Sequence, residues 1–365
     1  MMKLKHIFLI LFCGLSLGVS AQDFHNSYFQ FAPMTVNPAL TGAFYGNLRV
    51  SVIGRDQGRP VAGSGNEFQD MSLALDGNLD FGFTDGDWVS FGGNFVRSDV
   101  AVGDEGGSTT FRRQFSGLAA AYHLAYGRKK DKVFSVGFKY GNYSTGFNDL
   151  NGLSSPHLLE IGMNDQDIAN LSGTGGPDLP TKEKGDYMVG LMLTTPMGKK
   201  SDLRLGISAD HILAPRLRLT SGGGIDSVPM PPNVQVERLD RRINAFVYYY
   251  TSLSNKLTFN PNILFQRQGV STNIVVQGLF SYLYDAEKEI SISAGLGARL
   301  VNSFDIPVYL GVDYKSWRVG LAYDVNLGGL NPSTNTFGAL EIGISKIFSW
   351  VKKPVVEPEF ICPRL

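Results

Sequence analysis

The chain has 365 residues, 33 of them basic and 33 acidic, and it contains 43 glycines. Its mean hydropathy is −0.04, and no apolar run of about 18 residues follows residue 21, which excludes a polytopic helical membrane protein. The balanced charge and the lack of a basic cluster give nucleic-acid binding little support.

Residues 1–21 have the pattern of a secretory signal peptide. A basic region with lysines is followed by an apolar run. The small residues Val19 and Ala21 then form a site that suits signal-peptidase cleavage. A buried N-terminal helix is the alternative interpretation. Cleavage leaves one cysteine, Cys362, which then has no internal partner for a disulfide. We therefore predict an exported protein whose mature chain begins at Gln22.

Residues 22–46 lack the alternation of a β-strand. They contain aromatic residues between positions 28 and 31 and then the sequence Asn-Pro-Ala-Leu-Thr-Gly at 37–42, in which Asn-Pro and Gly favour turns. The aromatic side chains need a surface on which to pack. We predict an ordered periplasmic segment that plugs or props the barrel formed by the residues after it.

About fourteen β-strand candidates follow this segment. In the clearest ones, apolar side chains alternate with polar or very small ones, so one face of each strand is apolar. Leu296 is an example, because it lies on the apolar face while Gly295 and Gly297 lie on the other. A face of small and polar residues suits a crowded or water-filled lumen. The candidates are residues 47–56, 70–83, 87–98, 111–126, 132–142, 186–195, 202–213, 238–251, 256–266, 272–284, 289–300, 306–314, 316–326 and 337–349.

The connections between these candidates alternate in length, which indicates a membrane barrel. Those at one end are short and those at the other are mostly long, and the series starts and ends with a long one, as an even strand number requires. We therefore predict an all-β, transmembrane antiparallel β-barrel of about fourteen strands over residues 47–349 in an outer membrane. The longest connections are residues 143–185 and 214–237, and loops of this length are usually either functional or disordered. Either one is long enough to cover the barrel mouth or to bind a partner.

Residues 350–365 follow the last strand candidate. Their prolines exclude a further central strand. Because both termini of an even-stranded barrel lie on the periplasmic side, we predict a periplasmic C-terminal tail that serves docking or targeting rather than the fold.

Few residues suggest catalysis or metal binding. His123 and His211 both fall on strand candidates, and Asp210 directly precedes His211. Because neighbouring strand residues face opposite ways, Asp210 and His211 are not expected to form a catalytic pair. The His and Cys residues lack zinc spacing, and the acidic turn residues lack the spacing of an EF-hand loop. We predict a non-enzymatic protein without cofactor or metal, whose strand histidines lie in the lumen or in the aromatic girdle.

Four segments occur in a fixed order along the mature chain, namely residues 37–42, 204–215, 323–342 and 362–365. Together they resemble the PorP/SprF family of Bacteroidetes outer-membrane proteins, which is associated with type IX secretion and gliding. Residues 55–58 read Arg-Asp-Gln-Gly where the family often has Arg-x-Gln-Trp. The motif positions implied by the resemblance are Asn37, Pro38, Gly42, Asp210, His211, Pro215, Tyr323, Asp324, Glu341, Cys362, Pro363 and Arg364.

The resemblance implies a barrel that helps to export, or anchors at the cell surface, a secreted protein with a C-terminal sorting domain. Its implied partners are a type IX substrate or surface adhesin, other type IX components at the outer membrane or in the periplasm, and the lipid bilayer. We expect the loops 143–185 and 214–237 to bind the secreted partner. The alternative function is a channel for small or lipophilic molecules, which requires an open lumen.

Overall fold

The computed structural model describes residues 25–57, 68–79, 86–101, 110–148, 179–180, 184–215, 238–301, 304–328 and 336–350. The predicted signal peptide, the C-terminal tail beyond Trp350 and most of the two longest loops lie outside these residues. The strands are β1 (Leu48–Gln57), β2 (Phe68–Leu79), β3 (Asp87–Ala101), β4 (Thr110–Tyr126), β5 (Lys132–Asn148), β6 (Leu179–Pro180), β7 (Lys184–Pro196), β8 (Ser201–Asp210), β9 (Arg242–Ser252), β10 (Leu257–Gln268), β11 (Ser271–Asp285), β12 (Ile290–Val301), β13 (Asp305–Tyr314), β14 (Trp317–Asn326) and β15 (Phe337–Phe348).

Fourteen of these strands form a closed antiparallel barrel. Neighbours in sequence pair with one another around the ring, β5 pairs with β7, and β1 closes the ring against β15. The two-residue strand β6 adds only a short pairing with Gly146 and Phe147 of β5. The predicted all-β fold of about fourteen strands is therefore confirmed.

The two faces of the barrel wall differ as the alternation predicts. Leu296 is 60% exposed and Ile342 is 48% exposed on the outer face, whereas Glu341 between such outward positions is buried on the inner face. An apolar outer surface and a polar inner surface are the arrangement that a lipid bilayer requires of a barrel. None of the helices among the described residues is long and apolar enough to cross a membrane.

The two ends of the barrel carry different connections. At one end, called the base here, the turns are 80–86, 127–131, 197–200, 253–256, 286–289 and 315–316, and the first and last strands also begin and end there. The other end, called the mouth, carries the connections 58–67, 102–109, 149–183, 211–241, 269–270, 302–304 and 327–336. The connections at the mouth are therefore long, apart from the short ones at 269–270 and 302–304.

Several predicted strand bounds are wrong. The candidate 202–213 is too long because β8 ends at Asp210, and the candidate 238–251 starts too early because β9 begins at Arg242. His211 has a φ of 56°, a left-handed conformation that cannot continue a strand. The candidate 132–142 is too short, since β5 continues to Asn148.

Residues 25–47 lie inside the barrel and are called the plug here. They form 3₁₀ turns at Phe29–Phe31 and Pro38–Leu40 and one helical turn at Pro33–Val36. Their apolar side chains pack against inward-facing residues of the wall, so the core of the protein is the interface between plug and wall. The buried apolar residues of the plug are Tyr28, Phe29, Phe31, Ala32, Met34, Val36, Ala39, Leu40, Ala43 and Phe44.

Candidate functional site

Two carboxylates of the wall hold the first residues of the plug. The two oxygens of Glu341 accept hydrogen bonds from the backbone N–H groups of Ser27 and Tyr28, each at 2.8 Å. Asp324 Oδ2 accepts one from the Ser27 hydroxyl, also at 2.8 Å. Burial raises the pKa of the Tyr28 phenol above its ordinary value.

Two arginines neutralise these carboxylates. Arg55 Nη1 lies 2.9 Å from Asp324 Oδ2 and also donates to Glu341, and Arg299 Nη2 lies 3.3 Å from Asp324. Arg299 also donates to the hydroxyl of Ser27. All four side chains are buried, and buried charges need such pairing because desolvation of an isolated charge is very costly. We call Arg55, Arg299, Asp324 and Glu341 the carboxylate clamp.

Asn37 holds the middle of the plug without any charge. Its Nδ2 donates to the carbonyls of Leu191 at 3.1 Å and Ile207 at 3.0 Å, and its Oδ1 accepts from Ala39 N at 2.8 Å. A Cβ atom placed on Gly190 would lie 2.0 Å from Asn37 Oδ1. The wall therefore needs glycine at position 190 for the plug to approach this closely.

The end of the plug nearest β1 is held through its backbone. Gly42 N donates to Asp76 Oδ2 at 2.7 Å, and the φ of Gly42 is +66°, a conformation that favours glycine. Arg49 pairs with Asp76 at 2.8 Å and donates to the Leu40 carbonyl at 3.1 Å. The predicted turn at residues 37–42 is thus where the chain bends toward β1.

His123 lies in the lumen, one of the two predicted places. Its Nε2 is 2.9 Å from the Thr41 carbonyl, which can only accept, so Nε2 carries the proton. Its Nδ1 lies 2.7 Å from Ser135 Oγ. Both His123 and Ser135 are fully buried, so this pair joins plug and wall and is closed to a substrate.

The prediction that His211 lies on the same strand as Asp210 is wrong. His211 follows the end of β8, and its left-handed backbone turns the ring toward the lumen, where Nδ1 lies 2.6 Å from Asp186 Oδ2 and 3.9 Å from Asp210 Oδ1. Arg242 pairs with Asp210 at 2.7 Å and donates to the Thr35 carbonyl of the plug at 3.2 Å.

Asp186, Asp210 and His211 could geometrically hold a metal ion, because one ligand atom from each lies within 4.8 Å of the others. The donor set argues against it. Both carboxylates already accept hydrogen bonds from backbone N–H groups, and Arg242 supplies the positive charge beside Asp210. This cluster is chemically complete as a hydrogen-bonded network that ties the end of β8 to the plug.

The remaining motif positions fall in different places. Pro38 is buried in the plug, and the Pro215 carbonyl accepts from Leu239 N at 3.0 Å beyond the end of β8. Tyr323 sits opposite Leu340 on the outward side of the pairing between β14 and β15. Cys362, Pro363 and Arg364 lie outside the described residues.

Sequence reasoning missed the arginines that complete the site. Arg49, Arg55, Arg242 and Arg299 all face the lumen and are buried. The sequence could have identified them by their position on the small and polar face of each strand. A buried charge on that face needs an opposite charge across the lumen. Alternation places such a charge inside the barrel, but it does not name the partner.

A cavity of about 80 Å³ lies on the base side of the plug. Tyr28 and Gln30 of the plug form part of its lining, and charged residues such as Asp202, Arg204 and Arg318 line its wall. The cavity therefore ends at the plug and is lined by both charged and aromatic side chains.

Known proteins were compared with this chain. The model of the family "Type IX secretion system membrane protein PorP/SprF" matches residues 19–345. No curated protein matches. Three solved structures resemble the chain at low identity. The toluene transporter TbuX of Ralstonia pickettii is 14% identical, with 87% of this chain and 93% of that chain covered and a TM-score of 0.48. The toluene transporter TodX of P. putida is 13% identical, with coverages of 86% and 93% and a TM-score of 0.45, and CdiB of Acinetobacter baumannii is 11% identical, with coverages of 82% and 60% and a TM-score of 0.45.

The family match spans nearly the whole chain, and it agrees with the closed barrel whose outer face is apolar. The three structural likenesses are too distant to add to it. The protein is therefore a β-barrel of the outer membrane, and the chain belongs to the PorP/SprF family of type IX secretion system membrane proteins.

Proposed function

We propose that this barrel holds, or helps to export, a secreted type IX protein with a C-terminal sorting domain at the cell surface, without catalysis. The family match supports a role in type IX secretion. The single observation that carries the choice of an anchor over a channel is the plug, whose aromatic and aliphatic side chains fill the lumen between the walls.

A solute that crossed this barrel would have to displace the plug. Phe29, Phe31 and Leu40 are at most 2% exposed, and each packs in the lumen among residues of the plug and the inner wall. The carboxylate clamp and Asn37 add directional bonds on opposite sides of the lumen. A protein that only binds a partner at its mouth has no need to move these groups, so the plugged lumen favours anchoring.

The partner is expected at the mouth, where the long connections attach. The connection 149–183 and the connection 211–241 leave from neighbouring parts of the wall, between β5 and β9. These include most of the loops 143–185 and 214–237 named from the sequence. The tail 350–365 leaves from the base and is the element we assign to other type IX components in the periplasm.

The channel for small or lipophilic molecules remains the second candidate. The cavity of about 80 Å³ at the base is the observation in its favour, because it shows that the plug does not fill the whole lumen. In the described part of the chain this space ends at Tyr28 and Gln30, so a channel function requires the plug to move as a unit.

The first prediction tests the anchoring role. Deleting the gene should strip a particular large secreted protein from the cell surface and leave small-solute uptake intact. Excising residues 155–180 should abolish retention of that protein, while the barrel still assembles, because the excision leaves the ladder of the fourteen strands untouched. Retention is measured by affinity capture from native membranes, and assembly by the faster migration of unheated folded protein on a gel.

The matched control removes residues 354–365 at the other end of the barrel. This variant should keep the surface partner and lose periplasmic components. Anchoring would be contradicted by a loop-excised protein that keeps its full set of partners together with purified wild-type barrels that conduct ions freely in planar bilayers.

A further inference from the structure

The first residues of the plug contact the wall near the mouth. Asp324 of β14, Arg55 of β1 and Arg299 of β12 each lie two residues from the mouth end of their strand. All three belong to the carboxylate clamp that binds Ser27. The plug therefore begins at the level of the long connections.

The last residues of the plug contact the wall near the base. Arg49 donates to the Leu40 carbonyl at 3.1 Å and is the second residue of β1, which starts at the base. Asn47 N donates to the carbonyl of Phe348, the last residue of β15, at 2.9 Å. The plug thus begins near the mouth and ends at the base, and it does not enter from the base as the sequence suggested.

Asn26 is a buried amide at the mouth end of the plug. It is 4% exposed, and neither its Nδ2 nor its Oδ1 has a hydrogen-bond partner within the described ranges. Asn37, another buried asparagine of the plug, bonds backbone groups through both atoms. An unpaired buried amide is unfavourable. A peptide group of another chain has one N–H and one C=O, so it satisfies both the Oδ1 and the Nδ2 atom of an asparagine.

We infer that the N-terminal end of the plug opens on the cell surface beside the long connections, and that Asn26 there pairs with a peptide group of the secreted partner. The ligand is an extended backbone segment, because an asparagine amide recognises peptide groups irrespective of side chains. This inference rests on the proposed function for the identity of the partner. The path of the plug stands on the contacts alone.

Thiol labelling tests the path. In a Cys362→Ser background, His25→Cys places a thiol at the mouth end, and Trp350→Cys places a matched thiol at the base, where Trp350 is 69% exposed. A membrane-impermeant maleimide should label His25→Cys in intact cells. It should label Trp350→Cys only after the outer membrane is permeabilised.

An epitope inserted directly before His25 gives a second readout. Antibody should bind it on intact cells. The inference is overturned if the thiol and the epitope are both detected only after permeabilisation. This labelling needs no partner, so a wrong path of the plug is distinguished from a wrong proposed function.

The role of Asn26 is tested by the amount of secreted partner that the purified barrel retains. Asn26→Ala should weaken retention about five- to tenfold, the effect expected from losing the hydrogen bonds of one amide, while the folded barrel keeps its unfolding midpoint. The matched control is Asn262→Ala, which removes a buried amide that lines the base cavity and should leave retention unchanged. Equal retention by the wild type and Asn26→Ala would overturn the assignment.

Discussion

The ends of the plug and its middle are held by different interactions. At the mouth, Ser27 and Tyr28 are bound by the buried charges of the carboxylate clamp. At the base, Gly42 N and the Leu40 carbonyl are bound by the buried ion pair of Asp76 and Arg49. In the middle, Asn37 is bound by neutral amide and backbone groups, against a wall that has glycine at positions 190 and 206. The ends are therefore matched by charge and the middle by shape.

The charged and the neutral contacts differ in how they affect the stability of the plug. Buried ion pairs contribute little net stability compared with apolar packing, but removing one member leaves an uncompensated charge and is very costly. The clamp therefore fixes where the plug begins, whereas the shape-matched part makes it integral to the wall. A plug built this way tolerates changes at its neutral contacts better than changes at its charged ones.

The largest expected effect is at the clamp. Arg55→Met keeps a long apolar side chain but removes the cation between Asp324 and Glu341, and Glu341 then lacks its paired arginine. We expect the free energy of unfolding to fall by about 3–5 kcal/mol, the cost of breaking a buried pair. Urea unfolding of the purified barrel in detergent, followed by tryptophan fluorescence, measures it.

The control for Arg55→Met is the same substitution at a partly exposed arginine of the wall. Arg97 pairs with Asp99, and its side chain is 39% exposed. Arg97→Met should lower the free energy of unfolding by only about 0–1 kcal/mol, because solvent screens such a pair. Equal losses for Arg55→Met and Arg97→Met would show that the clamp has no special role.

A smaller effect is expected in the neutral part. Asn37→Ala removes the donors to the Leu191 and Ile207 carbonyls and the acceptor for Ala39 N. We expect a loss of about 1–3 kcal/mol in the free energy of unfolding. Asn37→Asp should cost more than Asn37→Ala, because it directs a second acceptor at both carbonyls. The reverse order would show that the amide is not the group that matters.

Much of this fold follows from alternation along the chain. Strand residues such as Leu296 and Glu341 took their predicted faces because the period of two is a local property. The aromatic residues and the turn sequence of residues 28–42, which lie outside any predicted strand, indicated a segment that needs a surface to pack on. The partners in the site were not predictable. Arg55 and Glu341 are 286 positions apart, and only closure of the ring brings them together.

The conformation of His211 could not be predicted either. Non-glycine residues rarely adopt a positive φ, and nothing in the residues around position 211 marks this one. The error extended the predicted strand beyond the end of β8 at Asp210. Asp186, which pairs with that ring, comes from the neighbouring strand β7 and was therefore not considered.

The smallest effect is expected at Thr41, whose own hydrogen bond to the wall is neutral. Thr41 is fully buried, and its hydroxyl has no hydrogen-bond partner among the residues that the structure describes, whereas its carbonyl accepts from His123. Thr41→Val replaces the hydroxyl by a methyl group of similar size and keeps the carbonyl. Because an unpaired buried hydroxyl is unfavourable, the free energy of unfolding should stay within about 0.5 kcal/mol of the wild type or rise by up to about 1 kcal/mol. Thr41→Ser, which keeps the hydroxyl and loses the methyl group, should cost about 1 kcal/mol through the space it leaves. If Thr41→Val were the more damaging of the two in the same urea titration, the hydroxyl would be a bonding group, and this part of the plug would be held by more than shape and backbone contacts.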